Sequence, residues 1–158
     1  MPHLSDSTIQ QQAEPLIREK VADYVRKPLA AATLKLDNGA PVQVDGVSAD
    51  ESVLVEIFAH QGVLKGGQRH KVATDALKLS TLGRSRPDAS LILAFADSAA
   101  AGFATKGTWM AEALAAWGVQ VLVVELDGDV REGIRAAQAQ QVMVNPAAAP
   151  PPEAGAAD

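Results

Sequence analysis

Two acidic side chains interrupt consecutive apolar stretches of this sequence. Asp45 lies near the end of one strand-like segment, and Glu56 lies in the middle of the next. A hairpin that turns symmetrically about Asp50 and Glu51 would make the two acids direct cross-strand partners, with Cβ atoms about 4.5–5.5 Å apart. Like charges that close repel each other, so a cation or a proton must neutralise part of the charge.

Paired Asp and Glu side chains offer oxygen ligands, which suit a hard cation such as Mg²⁺ or Mn²⁺. Without such a cation, a buried Glu56 would cost several kcal/mol. The sequence contains no cysteine, so disulfides and thiolate metal sites are excluded. We therefore predict a divalent-metal site at Asp45 and Glu56. The alternative is a hairpin of shifted register in which both acids are solvated.

A helix and an antiparallel meander are predicted to position these two acids. Segment 14–27 carries an apolar stripe with a helical period, and Pro15 suits its first turn. Three strand-like segments follow, separated by polar turns, at 33–36, 42–47 and 53–59. Short strands joined by polar turns are typical of a meander.

The second half of the chain predicts alternating helices and strands. A helical pattern extends over 68–82, and the apolar run 90–97 is typical of a strand buried on both faces. A helix over 107–118 and a second buried strand over 119–126 complete a β-α-β unit with parallel strands. A last helix is predicted over 130–142. The expected fold is α/β, with a central mixed sheet flanked by helices.

Length and composition bound the domain organisation. A chain of 158 residues, 47% of them hydrophobic, suits a single α/β domain, predicted over residues 14–144. Residues 1–13 are a polar segment expected to be loose or briefly helical, and the Pro/Ala-rich tail 145–158 is expected to be disordered. No apolar run reaches the about 20 residues that cross a bilayer, and the N-terminus lacks a signal-peptide pattern. These features predict a cytoplasmic protein without a membrane partner.

The order of these elements resembles the PD-(D/E)XK nuclease superfamily, which has the restriction-endonuclease-like fold. The resemblance covers roughly residues 14–127 and includes a strand ending in VDG, the strand VLVEIFA and a helix that opens with Gln68. It implies metal-dependent hydrolysis of phosphodiester bonds in nucleic acid, with Asp45 and Glu56 as ligands of Mg²⁺ or Mn²⁺.

The resemblance also implies helper residues around the two acids. A glutamate on the helix before the meander often assists in this family, which points to Glu14 or Glu19. A glutamine on the helix after the motif often lies near the site, and Gln68 matches it. His60 shares the strand face of Glu56 by alternation, so it is a candidate for proton transfer, metal ligation or a structural hydrogen bond.

The sequence departs from the family motif at its lysine. The family has a lysine two residues after the second acid, where this sequence has Phe58. In some members the lysine lies on the following helix, which here implies Lys71, three residues after Gln68 and on the same helical face. Lys65 is the second choice.

Basic residues are concentrated around this helix although the chain is acidic, with a formal net charge of −5. From Lys65 to Arg86 there are six basic residues and a single acid, Asp75. If the protein binds nucleic acid, we expect DNA or RNA to contact this region. The candidate nucleic-acid-binding residues are Lys65, Arg69, Lys71 and Arg84.

A second function stays open, in which the same scaffold has lost catalysis and serves as a binding or assembly module. The missing lysine at Phe58 favours it, and a fold does not determine a function. Trp109 and Trp117 lie near one face of their predicted helix, which favours core or dimer packing over base stacking. The protein partners consistent with this interpretation are a second copy of the chain or a larger protein.

Overall fold

A five-stranded sheet covered by helices on both faces forms the body of the protein, in a computed structural model that describes residues 6–105 and 107–144. The helices are α1 (Asp6–Val25), α2 (Gly66–Arg84), α3 (Ser98–Thr105), α4 (Trp109–Ala116) and α5 (Gly128–Val144). The strands are β1 (Ala30–Lys35), β2 (Pro41–Val47), β3 (Val53–Phe58), β4 (Ser90–Phe95) and β5 (Val119–Val123).

Residues 1–5 and the tail 145–158 lie outside the described residues, so the disorder of that tail stays a prediction. None of the helices in the described part of the chain combines the length and the apolar character that a membrane span requires.

The sheet has the strand order β1-β2-β3-β4-β5. β1, β2 and β3 are antiparallel neighbours, whereas β3, β4 and β5 run parallel to one another. This confirms the predicted mixed sheet of an antiparallel meander joined to a β-α-β unit. β3 also runs parallel to β4, and α2 connects the two. The sheet therefore contains one more β-α-β crossover than predicted.

The two helix layers divide the core into two clusters. α1 and α5 cover one face of the sheet, and α2, α3 and α4 cover the other. In the central strand β3, Leu54 and Phe58 face the α2 side, and Phe58 stacks on Phe95 with ring centroids 4.8 Å apart. Because strand side chains alternate, Glu56 lies between Leu54 and Phe58 on this same apolar face.

Helix α1 begins earlier than the sequence pattern indicates. It starts at Asp6, so residues 6–13 belong to the first helix, and Pro15 lies inside it instead of in its first turn. A proline there removes one hydrogen bond, the one to the carbonyl group of Gln11. Both Pro15 and Gln11 are exposed, so solvent can satisfy that carbonyl and the helix continues through the proline.

Helix α3 was not predicted. It has only eight residues, includes Gly102, and follows directly on β4, so its apolar residues extend the apolar run of the strand. Asp97 lies just before it and accepts a hydrogen bond from Ala100 N at 3.4 Å, the position of an N-terminal cap. The sequence signal for this helix was Asp97 followed by a run of alanines.

A core substitution tests this packing. Leu93 is completely buried in the α2-side cluster, so Leu93→Ala should lower the free energy of unfolding by about 2–5 kcal/mol through lost burial and a residual cavity. Leu16→Ala on α1 is the matched control because Leu16 is 42% exposed, and it should cost well under half as much. Urea denaturation followed by circular dichroism measures both. Equal losses would contradict the assignment of Leu93 to the core.

Candidate functional site

The hairpin of β2 and β3 brings Asp45 and Glu56 together. Gly46 pairs with Val55 and Val47 pairs with Leu54, which is the register that the symmetric hairpin predicts. The regular ladder ends there. At the next position the Ile57 amide donates to the side chain of Asp45, with the nitrogen 2.9 Å from Oδ2. The carboxylate of Asp45 therefore lies against β3, at the residue that follows Glu56.

A β-bulge aims Asp45 at this position. Ala30 of β1 pairs with Val47 and Ala32 pairs with Val44, so two steps along β1 match three along β2. The extra residue lies in the segment that contains Asp45. Bulges bend a strand and redirect a side chain, and they are common beside functional sites.

Arg18 connects α1 to the bulge through polar contacts. Its Nε donates to the carbonyl oxygen of Asp45 at 2.6 Å, and its Nη2 lies 2.7 Å from Glu14 Oε1. Arg18 also packs beside Gly46, where a Cβ atom would lie 3.7 Å from its side chain. One arginine thus holds both the backbone at Asp45 and the side chain of Glu14.

Glu14 and Asp45 line one cavity of about 400 Å³ between α1 and the first two strands. Burial raises the pKa of Glu14, and the negative charge of Asp45 raises it further, against the opposing effects of Arg18 and Lys71. Of the two predicted helper acids, Glu14 thus lies at the cavity. Glu19 is exposed one residue after Arg18, about 100° further round the helix.

Glu56 is buried in the core, with an exposed fraction of 2%. Lys78 of α2 brings its Nζ within 2.8 Å of Glu56 Oε1. The direction of this contact is not that of a hydrogen bond, so among the described residues Oε1 has no well-directed donor. Burial, reinforced by the charges of Asp45 and Asp75, raises the pKa of Glu56 to about 8 although Lys78 opposes the shift.

Lys78 belongs to a row of charged residues on α2. Asp75 bridges two lysines, with 2.7 Å to Lys71 Nζ and 3.4 Å to Lys78 Nζ. Burial acts to lower the pKa of Lys78, but its contacts with Glu56 and Asp75 outweigh burial and raise it. The pair therefore titrates in two steps. Glu56 loses its proton near pH 8, and Lys78 remains charged to higher pH.

Lys71, the predicted relocated lysine, lies above the aromatic ring that occupies the motif position. Its Nζ is 4.6 Å from the centre of the Phe58 ring, and its side chain is 57% exposed. Its charge also lowers the pKa of Glu14, so it lies within electrostatic range of the cavity. Lys71 is thus near the predicted place, and it is paired with Asp75 there.

His60, Gln68 and Lys65 meet at the N-terminal end of α2. Gln68 Oε1 accepts from Lys65 N at 3.0 Å and so caps the helix. Gln68 Nε2 lies 3.4 Å from His60 Nδ1. These contacts place the three residues at the start of α2, and their predicted part in a site with Glu56 stays a prediction.

The loop before α2 is held by a polar network. Gly62 N donates to Asp97 Oδ2 at 2.7 Å, and Arg131 of α5 reaches Asp97 Oδ1 at 3.3 Å and Gln61 Oε1 at 3.2 Å. Gln138, also on α5, bonds both the amide and the carbonyl group of Gln61 at 2.9 Å. This network holds the start of α2 in place. It thereby sets the direction of the row of charged residues on that helix.

The basic residues predicted to bind nucleic acid separate into two places. Lys65, Arg69 and Lys71 lie in the first turns of α2, where Arg69 packs 5.1 Å from the centre of the Phe103 ring. Arg84 is the last residue of the helix, more than about 20 Å from Arg69 along the helix axis. Lys65, Arg69 and Lys71 therefore lie together at the N-terminal end of α2, and Arg84 lies apart from them at the other end.

Sequence reasoning missed Lys78, Asp75 and the network around Asp97. Residues 71, 75 and 78 repeat at the i, i+4, i+7 spacing that places side chains on one helix face, and this was the available signal. The Asp97 network had no comparable signal, because its members come from segments 34 to 77 residues apart.

Comparison with protein-family models, with curated proteins and with solved structures finds no match to this chain. The interpretation of the site therefore depends on its own geometry. Within residues 6–105 and 107–144 no group of three or more His, Cys, Asp or Glu side chains is arranged to hold a metal ion. The carboxylates that the hairpin brings together are the pair Asp45 and Glu56.

The raised pKa of Glu56 predicts how stability depends on pH. The folded state holds a proton between pH 4.5 and about 8 that the unfolded state has released, so this group loses its stabilising effect as pH rises through that window. Glu56→Gln removes this titration. Over the same pH window the decrease in the free energy of unfolding should therefore be smaller in the variant than in the wild type, by at least about 1 kcal/mol. Urea unfolding at several pH values measures the difference.

The matched control is Glu132→Gln, which changes an exposed glutamate on α5. It should follow the wild-type pH profile. If Glu56→Gln also follows that profile, Glu56 is ionised throughout the window and the burial argument is wrong.

Proposed function

We propose that this protein is a divalent-metal-dependent phosphodiester hydrolase that acts on nucleic acid, with a fold of the restriction-endonuclease-like type. The observation that carries the proposal is the convergence of Asp45 and Glu56 across the β2–β3 hairpin, with lysines of α2 beside them. The topology supports it, since a helix precedes a meander that continues into parallel crossovers, and β2 alone runs against the other strands.

The two acids fit a hard cation. Mg²⁺ is commonly held by one or two protein carboxylates and completes its coordination with water, so a pair is sufficient. Burial is the main cause of the raised pKa values of Glu14 and Glu56, and repulsion from Asp45 adds to both, so the three carboxyl groups lie within electrostatic range of one another. Glu56 Oε1 is buried without a well-directed donor, and the ammonium group of Lys78 already lies 2.8 Å from it, so positive charge can approach this oxygen.

In this proposal Asp45 and Glu56 would hold Mg²⁺ or Mn²⁺, and the ion would supply Lewis-acid chemistry for hydrolysis of the phosphodiester. Lys71 replaces the motif lysine. Its ammonium group is exposed above Phe58, so it can contact a phosphate and stabilise charge that develops on the phosphoryl oxygens. Lys78 has a positioning role, because its partly exposed side chain brings an ammonium group against the buried carboxyl group of Glu56.

The pKa of Glu56 couples cation binding to pH. At neutral pH its carboxyl group holds a proton that a cation must displace, so metal affinity should rise as pH approaches about 8. The basic residues at the start of α2 then supply the surface that attracts the phosphate backbone.

Catalysis is tested on duplex DNA, single-stranded DNA and RNA. Cleavage should require Mg²⁺ or Mn²⁺ and fail in Ca²⁺, and Asp45→Asn and Glu56→Gln should each lower the rate by at least about 100-fold because each removes a ligand. Lys71→Met should lower kcat about 100-fold while the metal dissociation constant from calorimetry stays within about threefold, since this lysine acts on the transition state. Lys35→Met, an exposed lysine of β1, is the control.

The outcomes separate the parts of this proposal. Full activity in Lys71→Met together with loss in Lys78→Met would transfer the catalytic role to Lys78. Absence of metal binding to the wild type would remove the metal centre. Metal binding without cleavage of any of the three substrates would favour the second function.

The second function is a restriction-endonuclease-like scaffold without catalysis that serves as a binding or assembly module. One observation favours it: both acids already have partners within the chain. Asp45 accepts from Ile57 N, and Glu56 is paired with Lys78. Phe58 replaces the motif lysine and stacks in the core on Phe95, so position 58 has become a packing position.

Nucleic-acid binding has its own test, independent of cleavage. Lys65→Ala and Arg69→Ala should each weaken binding of a labelled oligonucleotide and reduce the salt dependence by about one counterion, because both charges lie at the start of α2. Arg84→Ala is the matched control at the far end of the same helix. Fluorescence anisotropy across a salt series measures the slopes. An equal effect of Arg84→Ala would contradict the assignment of the binding surface to the start of α2.

A further inference from the structure

The outward face of α2 and α4 carries the most exposed large apolar side chains of the described residues. Leu77, Trp109 and Trp117 are each 69% exposed. They border a groove of about 320 Å³ whose lining also includes the small side chains Ala73, Ala76 and Ala113. A contiguous apolar patch of this kind marks an interaction site, and the small residues permit close approach of a helix.

We propose that this face is the contact between two copies of the chain related by a two-fold axis. The two helices run in the same direction, because each leads back into a strand of the parallel set β3, β4 and β5. Their N-terminal ends are neighbours, since Phe103 lies 6.3 Å from Trp109 and 5.1 Å from Arg69, measured from its ring centre. The face therefore has a defined polarity from one end to the other.

The charges at the two ends of the face are complementary under such an axis. Arg84 borders the groove at the C-terminal end of α2, and Glu112 is exposed in the first turn of α4. A two-fold axis perpendicular to the helices reverses the second copy, so Arg84 of each copy faces Glu112 of the other. The pair forms twice, which is the self-complementarity that a symmetric dimer needs.

The apolar residues fit the same arrangement. Leu77 lies near the middle of the α2 face and Ala113 near the middle of the α4 face, so close to the axis a large side chain of one copy meets a small one of the other. A tryptophan can bury about 150–250 Å², and 69% of each of these two is still exposed, so together they can supply roughly a third of the about 800 Å² per partner of a stable interface.

Sedimentation velocity of the full chain over a wide concentration range tests the proposal. The wild type should dimerise, and Trp117→Glu and Leu77→Glu should remain monomeric. Arg84→Glu and Glu112→Arg should each raise the dissociation constant at least about tenfold, because each creates two like-charge contacts, and the double variant should recover most of the wild-type affinity. Tyr24→Glu, at a 58% exposed position of α1 on the other side of the sheet, is the control.

Tryptophan emission gives a second readout, because Trp109 and Trp117 are the two tryptophans of the chain. Their emission should shift to longer wavelength as the dimer dissociates on dilution. Circular dichroism verifies that each variant is folded. Recovery in the charge-swapped double variant requires contact between these two residues across copies, so a general loss of folding cannot imitate it.

Three outcomes would overturn the proposal. The first is a monomer at all concentrations. The second is a dimer that Tyr24→Glu dissociates and Trp117→Glu does not. The third is a monomer whose tryptophan emission shifts when residues 145–158 are deleted, which would assign the groove to the chain's own tail.

Discussion

A single carboxyl group in the apolar core constrains much of this structure. Glu56 lies on β3, the central strand, which has β2 on one side, β4 on the other and helices above both faces. A carboxylate there is expensive unless a proton or a cation accompanies it. Lys78 supplies the charge from α2, and Asp75 links it to Lys71. The rotation of α2 about its own axis is thereby defined by electrostatics as well as by packing.

The rotation of α2 connects the candidate site to the outer surface. With Lys71, Asp75 and Lys78 directed towards β3 and the cavity, the residues about a third of a turn or more away face outward. These include Leu77 and Arg84, which border the groove beside α4. The same helix thus presents a charged row to the site and an apolar face to a second copy, so a change in its rotation would disturb both.

The two ends of β3 have different roles in this arrangement. At its N-terminal end the β2–β3 hairpin sets the register that places the bulge at Asp45 beside Ile57, and Arg18 ties that bulge to α1. At its C-terminal end Asp97, Arg131 and Gln138 fix the loop that leads into α2. The acids are therefore positioned by local strand pairing, whereas the lysines are positioned by a network that joins both helix layers.

The sequence by itself determined the features that depend on local pattern. The polar turn at Asp50 specifies the β2–β3 register, and the register brings Asp45 next to Glu56, because a slip of one residue would place these two acids on opposite faces of the sheet. Only the tertiary structure decided that Lys78 is the partner of Glu56 and that a bulge aims Asp45. These depend on how α2 docks on the sheet, and that docking is decided by contacts between residues distant in the chain, such as Gln61 with Gln138 and Gly62 with Asp97, which no local pattern encodes.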